Sequence, residues 1–200
     1  MIIPFMSYPA RPIDGAPIER ALPKSGVWKY EPKYNGWRAL VHLPAGTMFN
    51  RHGEKLSIGG DFDSAIKVLC STLDCEAFKW ADVEGLSRRH TVGRGCLILL
   101  DAVPTAYTAT AAATYIERRA WLDGVVPELA LAPTQTLPLI SLPPWVYPDT
   151  AWTDLQLINR RLGVEFYEGL VAKKADQPYP IQLISPEREF PFWVKHRWKF

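Results

Sequence analysis

Eighteen prolines in 200 residues set the first limit on this chain, because most of them fall in two stretches. Proline fixes φ and removes a backbone donor, so it bars helix interiors and central strands. Residues 1–23 carry Pro4, Pro9, Pro12, Pro17 and Pro23 and read as an extended, proline-rich arm. Pro127 to Pro148 reads as a second proline-rich loop with at most one strand. Regular structure must therefore be assembled from short elements lying between and beside these stretches.

Those elements alternate in type. Val27 to Lys33 has the period of two expected of a strand, with Lys29, Glu31 and Lys33 on one face and Trp28 and Tyr30 on the other. Gly36 makes a turn, Trp37 to Leu43 returns, and Thr47 to Arg51 is a third short strand ahead of Gly59-Gly60. Asp63 to Cys70 fits a helix with Ala65-Ile66 and Leu69-Cys70 as its apolar face. Leu73 to Phe78 and Cys96 to Asp101 read as buried strands, and Ala111 to Val126 as a helix closed near Gly124. Asp149 or Thr150 caps a further helix, with Leu155, Ile158 and Leu162 on one side and Gly163 at its end. Phe166 to Lys173 and Phe192 to Trp198 complete the strands. This alternation predicts an α+β fold with mostly antiparallel sheets.

Bulk properties exclude more than they assign. Two hundred residues suit one domain, and 48% apolar with 22% charged residues is ordinary for a globular protein. No stretch approaches the roughly 20 apolar residues that span a bilayer, and Met1 to Pro12 lacks the pattern of a signal peptide. Cys70, Cys75 and Cys96 are odd in number and lack zinc-like spacing, which reads as reduced thiols in a cytoplasm. A net charge of +2 says little about partners. Its distribution leaves two readings open for Arg88, Arg89 and Arg94 and for Lys195 to Lys199: solvated surface, or a basic groove for a nucleic-acid backbone.

The chemistry concentrates in five ordered motifs. The first is Glu31-Pro32-Lys33-Tyr34-Asn35-Gly36-Trp37-Arg38, and the second Asn50-Arg51-His52-Gly53. Leu73-Asp74-Cys75-Glu76, with the companion run Leu97-Ile98-Leu99-Leu100-Asp101, is the third. Glu168-Gly169-Leu170-Val171-Ala172-Lys173 and Trp193-Val194-Lys195-His196-Arg197 close the series. Together they offer a nucleophilic amine, carboxylates for metal and ribose, and cations for phosphates, as an attack on a nucleotide's α-phosphate requires. A lysine in a partly desolvated pocket beside other cations becomes nucleophilic because its pKa is depressed. Lys195 and Arg197 alternate onto one face and could stabilise charge on the phosphate as pyrophosphate departs. Strict alternation does not bring Glu168 and Lys173 onto one face unless Gly169 bends the strand.

These motifs resemble those of the ATP-dependent DNA ligases, within the covalent nucleotidyltransferases that also include RNA ligases and mRNA capping enzymes. The stretch Glu168 to Tyr179 is most similar to the ligase domains of bacterial end-joining enzymes, and Ile116 to Leu122 resembles a helix that follows the companion strand. The resemblance implies two antiparallel sheets flanked by helices with the nucleotide between them. It implies ATP as cofactor, bound covalently as AMP on Lys33, with Glu168, Lys195 and Arg197 also catalytic. Glu31, accepting from the adenine amino group, would bind nucleotide together with Arg38, Arg51, Glu76, Leu100 and Lys173, and Glu76 and Glu168 would hold Mg²⁺. Nicked double-stranded DNA would be the partner, held by Arg88, Arg89, Arg94 and Lys199, in a monomer that an accessory clamp or partner protein could assist. An RNA ligase, or a nicked-DNA or nucleotide-binding module without a full cycle, are the alternatives. Capping chemistry fits Glu31 and the fourth motif less well. Three departures stand out: Asn35 replaces the usual aspartate, Leu100 the usual stacking aromatic, and the sequence ends after the fifth motif without an oligonucleotide-binding barrel.

Overall fold

Two sheets carry the chain, and the turn after Lys33 is where it passes from one to the other. The computed structural model describes residues 8–10, 22–23, 27–57, 61–73, 78–86, 91–104, 112–125, 139–140, 144–180 and 189–198. Its strands are β1 (Tyr8–Ala10), β2 (Trp28–Tyr34), β3 (Trp37–His42), β4 (Thr47–Phe49), β5 (Trp80–Gly85), β6 (Leu97–Val103), β7 (Leu139–Ile140), β8 (Tyr167–Lys174) and β9 (Glu189–Arg197). Its helices are α1 (Asp63–Thr72), α2 (Tyr115–Val125) and α3 (Pro148–Leu162). One sheet has the order β1-β9-β8-β2 and the other β4-β3-β5-β6-β7. Pairing is antiparallel except at β1–β9 and β6–β7, so the expected α+β architecture of two mostly antiparallel sheets with flanking helices is what the chain adopts.

The return expected at Trp37 takes a different course. β3 does not pair with β2 but joins β5 in the second sheet, where Arg38 lies opposite Glu84. Lys33 and Arg38 thus stand on different sheets although five positions apart. Gly36 permits this crossing, because a β-carbon there would lie 2.7 Å from Glu84 Cγ and 2.9 Å from the Gly85 carbonyl oxygen.

Three cores hold the layers. Leu155 and Ala151 of α3 pack on Tyr30, Tyr167, Leu170 and Ala172 of the first sheet, with Ile158 and Leu162 partly buried on the same side, as the helical period predicts. The helix begins two or three residues earlier than the anticipated caps imply: Tyr147 is the N-cap and Pro148 the first helical residue, where its missing N–H costs nothing. Gly163 ends it in the left-handed conformation, φ 66°. Ala65 and Leu69 of α1 meet Val41, Val83 and Leu99 of the second sheet. Burying leucines such as Leu69 and Leu155 completely contributes about 2 kcal/mol each. Between the sheets, Leu40, Phe49, Trp80, Val103, Tyr179 and Trp193 form the third cluster.

The strand expected over Leu73 to Phe78 lies, apart from its two end residues, outside the described residues. α1 continues to Thr72, Leu73 caps it with its N–H on the Leu69 carbonyl, and Trp80–Gly85 forms a strand that the sequence reading did not mark. Asp82 and Glu84 interrupt the apolar run of that strand, which hides its buried character from a composition-based reading. Most of the proline-rich arm and of the Pro127–Pro148 stretch, and Cys75, lie outside the described residues. Cys70 is half-buried and Cys96 buried. Among the described residues no helix is long and apolar enough to cross a membrane.

Candidate active site

The Lys33 ammonium lies at the end of β2 with its side chain only 15% exposed, donating to Glu168 Oε1. The contact depends on an irregularity. β2 and β8 pair in register from Trp28–Lys174 to Lys33–Gly169, and the next pair is Tyr34–Tyr167. Glu168 is therefore the extra residue of a bulge, which turns its carboxylate toward Lys33 and resolves the parity conflict with Lys173. Gly169 is required there, since a β-carbon would run into the His196 carbonyl oxygen. Arg197 Nη2, from β9, reaches the same Glu168 oxygen at 3.2 Å, so one carboxylate sits between two cations.

Behind Lys33 the cleft closes on a buried polar network. Glu31 is 5% exposed and both its oxygens are engaged: Tyr115 Oη donates to Oε1 at 2.6 Å, and Lys173 Nζ lies 2.7 Å from Oε2. Burial, then the Glu31 charge, push the Tyr115 hydroxyl well above its ordinary pKa, which keeps it protonated as a donor. Lys173 also donates to the Leu100 carbonyl at 3.3 Å and stands 4.8 Å from the centre of the Trp193 ring. Asp101 anchors α2 through Arg118, Nε–Oδ1 2.8 Å and Nη2–Oδ2 2.9 Å. Burial pushes the Asp101 carboxyl up, but the Arg118 charge and its hydrogen bonds outweigh that, and it settles below the usual carboxylate range.

β5 supplies two carboxylates that the motifs did not mark. Asp82 takes Arg38 in a two-point pair, 2.9 and 2.6 Å, and accepts from Tyr179 Oη at 2.8 Å. Burial alone would depress the Arg38 guanidinium, yet Asp82 holds it above its ordinary value. Glu84 accepts from the Gly36 N–H at 2.6 Å, and burial raises its pKa to about 7 despite the opposing charges of Lys33 and Arg38. Two acids spaced i, i+2 in an otherwise apolar run, followed by glycine, were the available signal for this strand.

Lys33, Glu31, Arg38, Leu100, Lys173 and Lys195 all line one cavity, together with Asp82, Glu84 and Trp193. A second, adjoining cleft is lined by Lys33, Arg38, Arg51, Lys195 and Arg197. Lys33, Gly36, Arg38 and Lys195 belong to both, so the amine stands where the two meet. Arg94 is exposed on the turn before β6 and lines neither. Glu76, Arg88, Arg89 and Lys199 lie outside the described residues. His52 accepts from Arg51 Nε at 2.9 Å, and His196 is fully buried, 5.1 Å from the Trp152 ring centre.

Solved structures of similar shape bear on this arrangement. The ligase domain of M. tuberculosis LigD superposes with a TM-score of 0.60 at 19% identity, over 98% of this chain and 59% of that one. Chlorella virus DNA ligase-adenylate gives 0.53 at 17% identity, over 98% and 69%. This is the ligase adenylation-domain fold. An archaeal ATP-dependent RNA ligase shares it, with a TM-score of 0.52 at 19% identity over 98% of this chain and 48% of that one. The chain thus spans about three fifths of the LigD ligase domain that it matches. No family model and no curated protein matches the sequence. In the adenylation-domain fold found here, the cleft between the sheets is where the five sequence motifs converge, with the third represented by its companion strand.

Proposed function

We propose that this chain is the catalytic domain of an ATP-dependent polynucleotide ligase that seals 5′-phosphate/3′-hydroxyl nicks in DNA through AMP bound to Lys33. The observation that carries the reading is the position of Lys33, in contact with Glu168 at the junction of a cavity and a cation-lined cleft. ATP would lie in the cavity with its adenine toward Glu31 and Lys173. A carboxylate has about four acceptor sites, so Glu31 can take the adenine amino group in addition to its present donors. Glu84 lines the same cavity and would take a ribose hydroxyl.

In the first step Lys33 gives up a proton, for which Glu168 is the base in contact. Its nitrogen then bonds to the α-phosphorus as the bond to pyrophosphate breaks. Lys195 and Arg197 offset the charge that gathers on the phosphate, a contribution commonly worth about 100-fold in rate per contact. In the second step an oxygen of the polynucleotide 5′-phosphate displaces the lysine nitrogen, and in the third the 3′-hydroxyl displaces AMP. Among the described residues no cluster of three or more metal-binding side chains exists. Magnesium commonly uses only one or two carboxylates with phosphate oxygens and water, so Glu168 beside bound phosphates fits it. Bound there, the ion would neutralise phosphate charge.

Intact-mass measurement after incubation with ATP and magnesium tests the reading. The parent should gain one AMP and Lys33→Ala none; an adduct that persists in the variant would remove Lys33 from this role. Repeating the labelling with GTP examines Glu31, since equal labelling by both nucleotides contradicts base selection there. Sealing of matched nicked DNA and RNA duplexes decides between a DNA and an RNA ligase.

A further inference from the structure

Trp37 is 49% exposed, whereas Trp80, Trp193 and Trp198 are all under 9%. Its place in the sheet explains the exposure. It opens β3 opposite Gly85, which offers no side chain for it to pack on, and β4 pairs only with Leu40 to His42 further along. Trp37 lines the second cleft together with Arg51, on the turn after β4, and Lys195 and Arg197 of β9. No acidic residue among the described ones lines that cleft.

Cations in this number suit phosphates, but the electron-rich face of an indole has no favourable contact to offer a bare phosphate. A ligand that uses both carries phosphate beside a flat aromatic face. That is the chemistry of a polynucleotide end, in which the base next to the terminal phosphate stacks on an aromatic side chain while basic residues track the backbone. Lys33 borders the same cleft, so a phosphate seated among these cations lies within reach of the transferred group.

We infer that Trp37 is the stacking platform for the base that bears the 5′-phosphate, holding that nucleotide by its π-face without reading its sequence. The inference rests on the ligase reading only in naming the strand; the stacking contact itself is independent of adenylation. A base stacked on one aromatic side chain is commonly worth about tenfold in affinity. The decisive measurement is binding, without ATP, of a fluorescent 5′-phosphorylated nicked duplex and of the same duplex with an abasic nucleotide at the 5′ end. The parent should bind the abasic form about tenfold more weakly. Trp37→Ala should bind both forms alike and as weakly as the parent binds the abasic one, and Trp37→Phe should recover most of the difference. An unchanged loss on base removal in Trp37→Ala, with folding verified by circular dichroism, would overturn the contact. So would equal affinity of parent and Trp37→Ala for the intact duplex. Lys33 labelling on the same samples separates the two readings. Labelling without base-dependent coupling refutes stacking alone, and coupling without labelling refutes the ligase while leaving the platform in place.

Discussion

Glu84 shows how one side chain can be shaped by the crossing of two strands. The same tight turn that lets Gly36 donate to it also removes it from water, and its pKa rises to about 7 from the 4.5 expected in the unfolded chain. Between those values the folded protein holds a proton that the unfolded chain has released. Stability from this group is therefore fully present below about pH 4.5, falls as pH rises, and levels off above about pH 7. Thermal or urea unfolding of the parent and of Glu84→Gln should show the parent losing up to about 3 kcal/mol relative to the variant between about pH 4.5 and pH 8. Parallel curves for the two proteins would mean that folding leaves the Glu84 pKa unshifted. This residue was hidden in the sequence for a physical reason. Trp80 to Gly85 forms a fully buried strand although two acids interrupt its apolar run, so composition did not mark it.

At the level of elements, α2 is fastened to β6 by Arg118 and Asp101, whose side chains are 0% and 1% exposed. Removing one partner of such a pair leaves an uncompensated buried charge, at a cost of about 3–5 kcal/mol. Replacing both with apolar residues of similar volume commonly costs far less. Urea denaturation should therefore find Arg118→Met strongly destabilised and Arg118→Met with Asp101→Leu substantially recovered. A double variant no more stable than the single one would show that the pair is needed for more than mutual neutralisation. Local patterns made much of the architecture legible: α1, α3 and the strands around Lys33 and Lys195 follow from periods of 3.6 and 2. Pairing between distant segments did not. Nothing near Asn35-Gly36 distinguishes a hairpin from a passage between sheets, and only the β2–β8 register shows how Glu168 reaches Lys33.

For the molecule as a whole, the cleft that joins the Lys33 amine to the surface is lined by five cations, Lys33, Arg38, Arg51, Lys195 and Arg197. Polynucleotide binding dominated by phosphate contacts weakens steeply with salt because bound counterions are released. Nick sealing should fall sharply from low to moderate ionic strength, with self-adenylation less affected; sealing that stays flat across a salt series would place the DNA on another surface. The two spaces that meet at Lys33 also share Gly36, Arg38 and Lys195 as walls. Such common walls make simultaneous occupancy by a triphosphate and a strand end unfavourable, and the kinetic order follows from that. Under the proposed ligase reading the nucleotide would react and its pyrophosphate depart before the strand enters, which is a ping-pong scheme. ATP in excess would then inhibit the later steps: it would refill Lys33 with AMP, and an adenylated strand, once released, would find no vacant enzyme to seal it. Turnover should pass through a maximum as ATP is raised, with adenylated DNA accumulating beyond it on a denaturing gel.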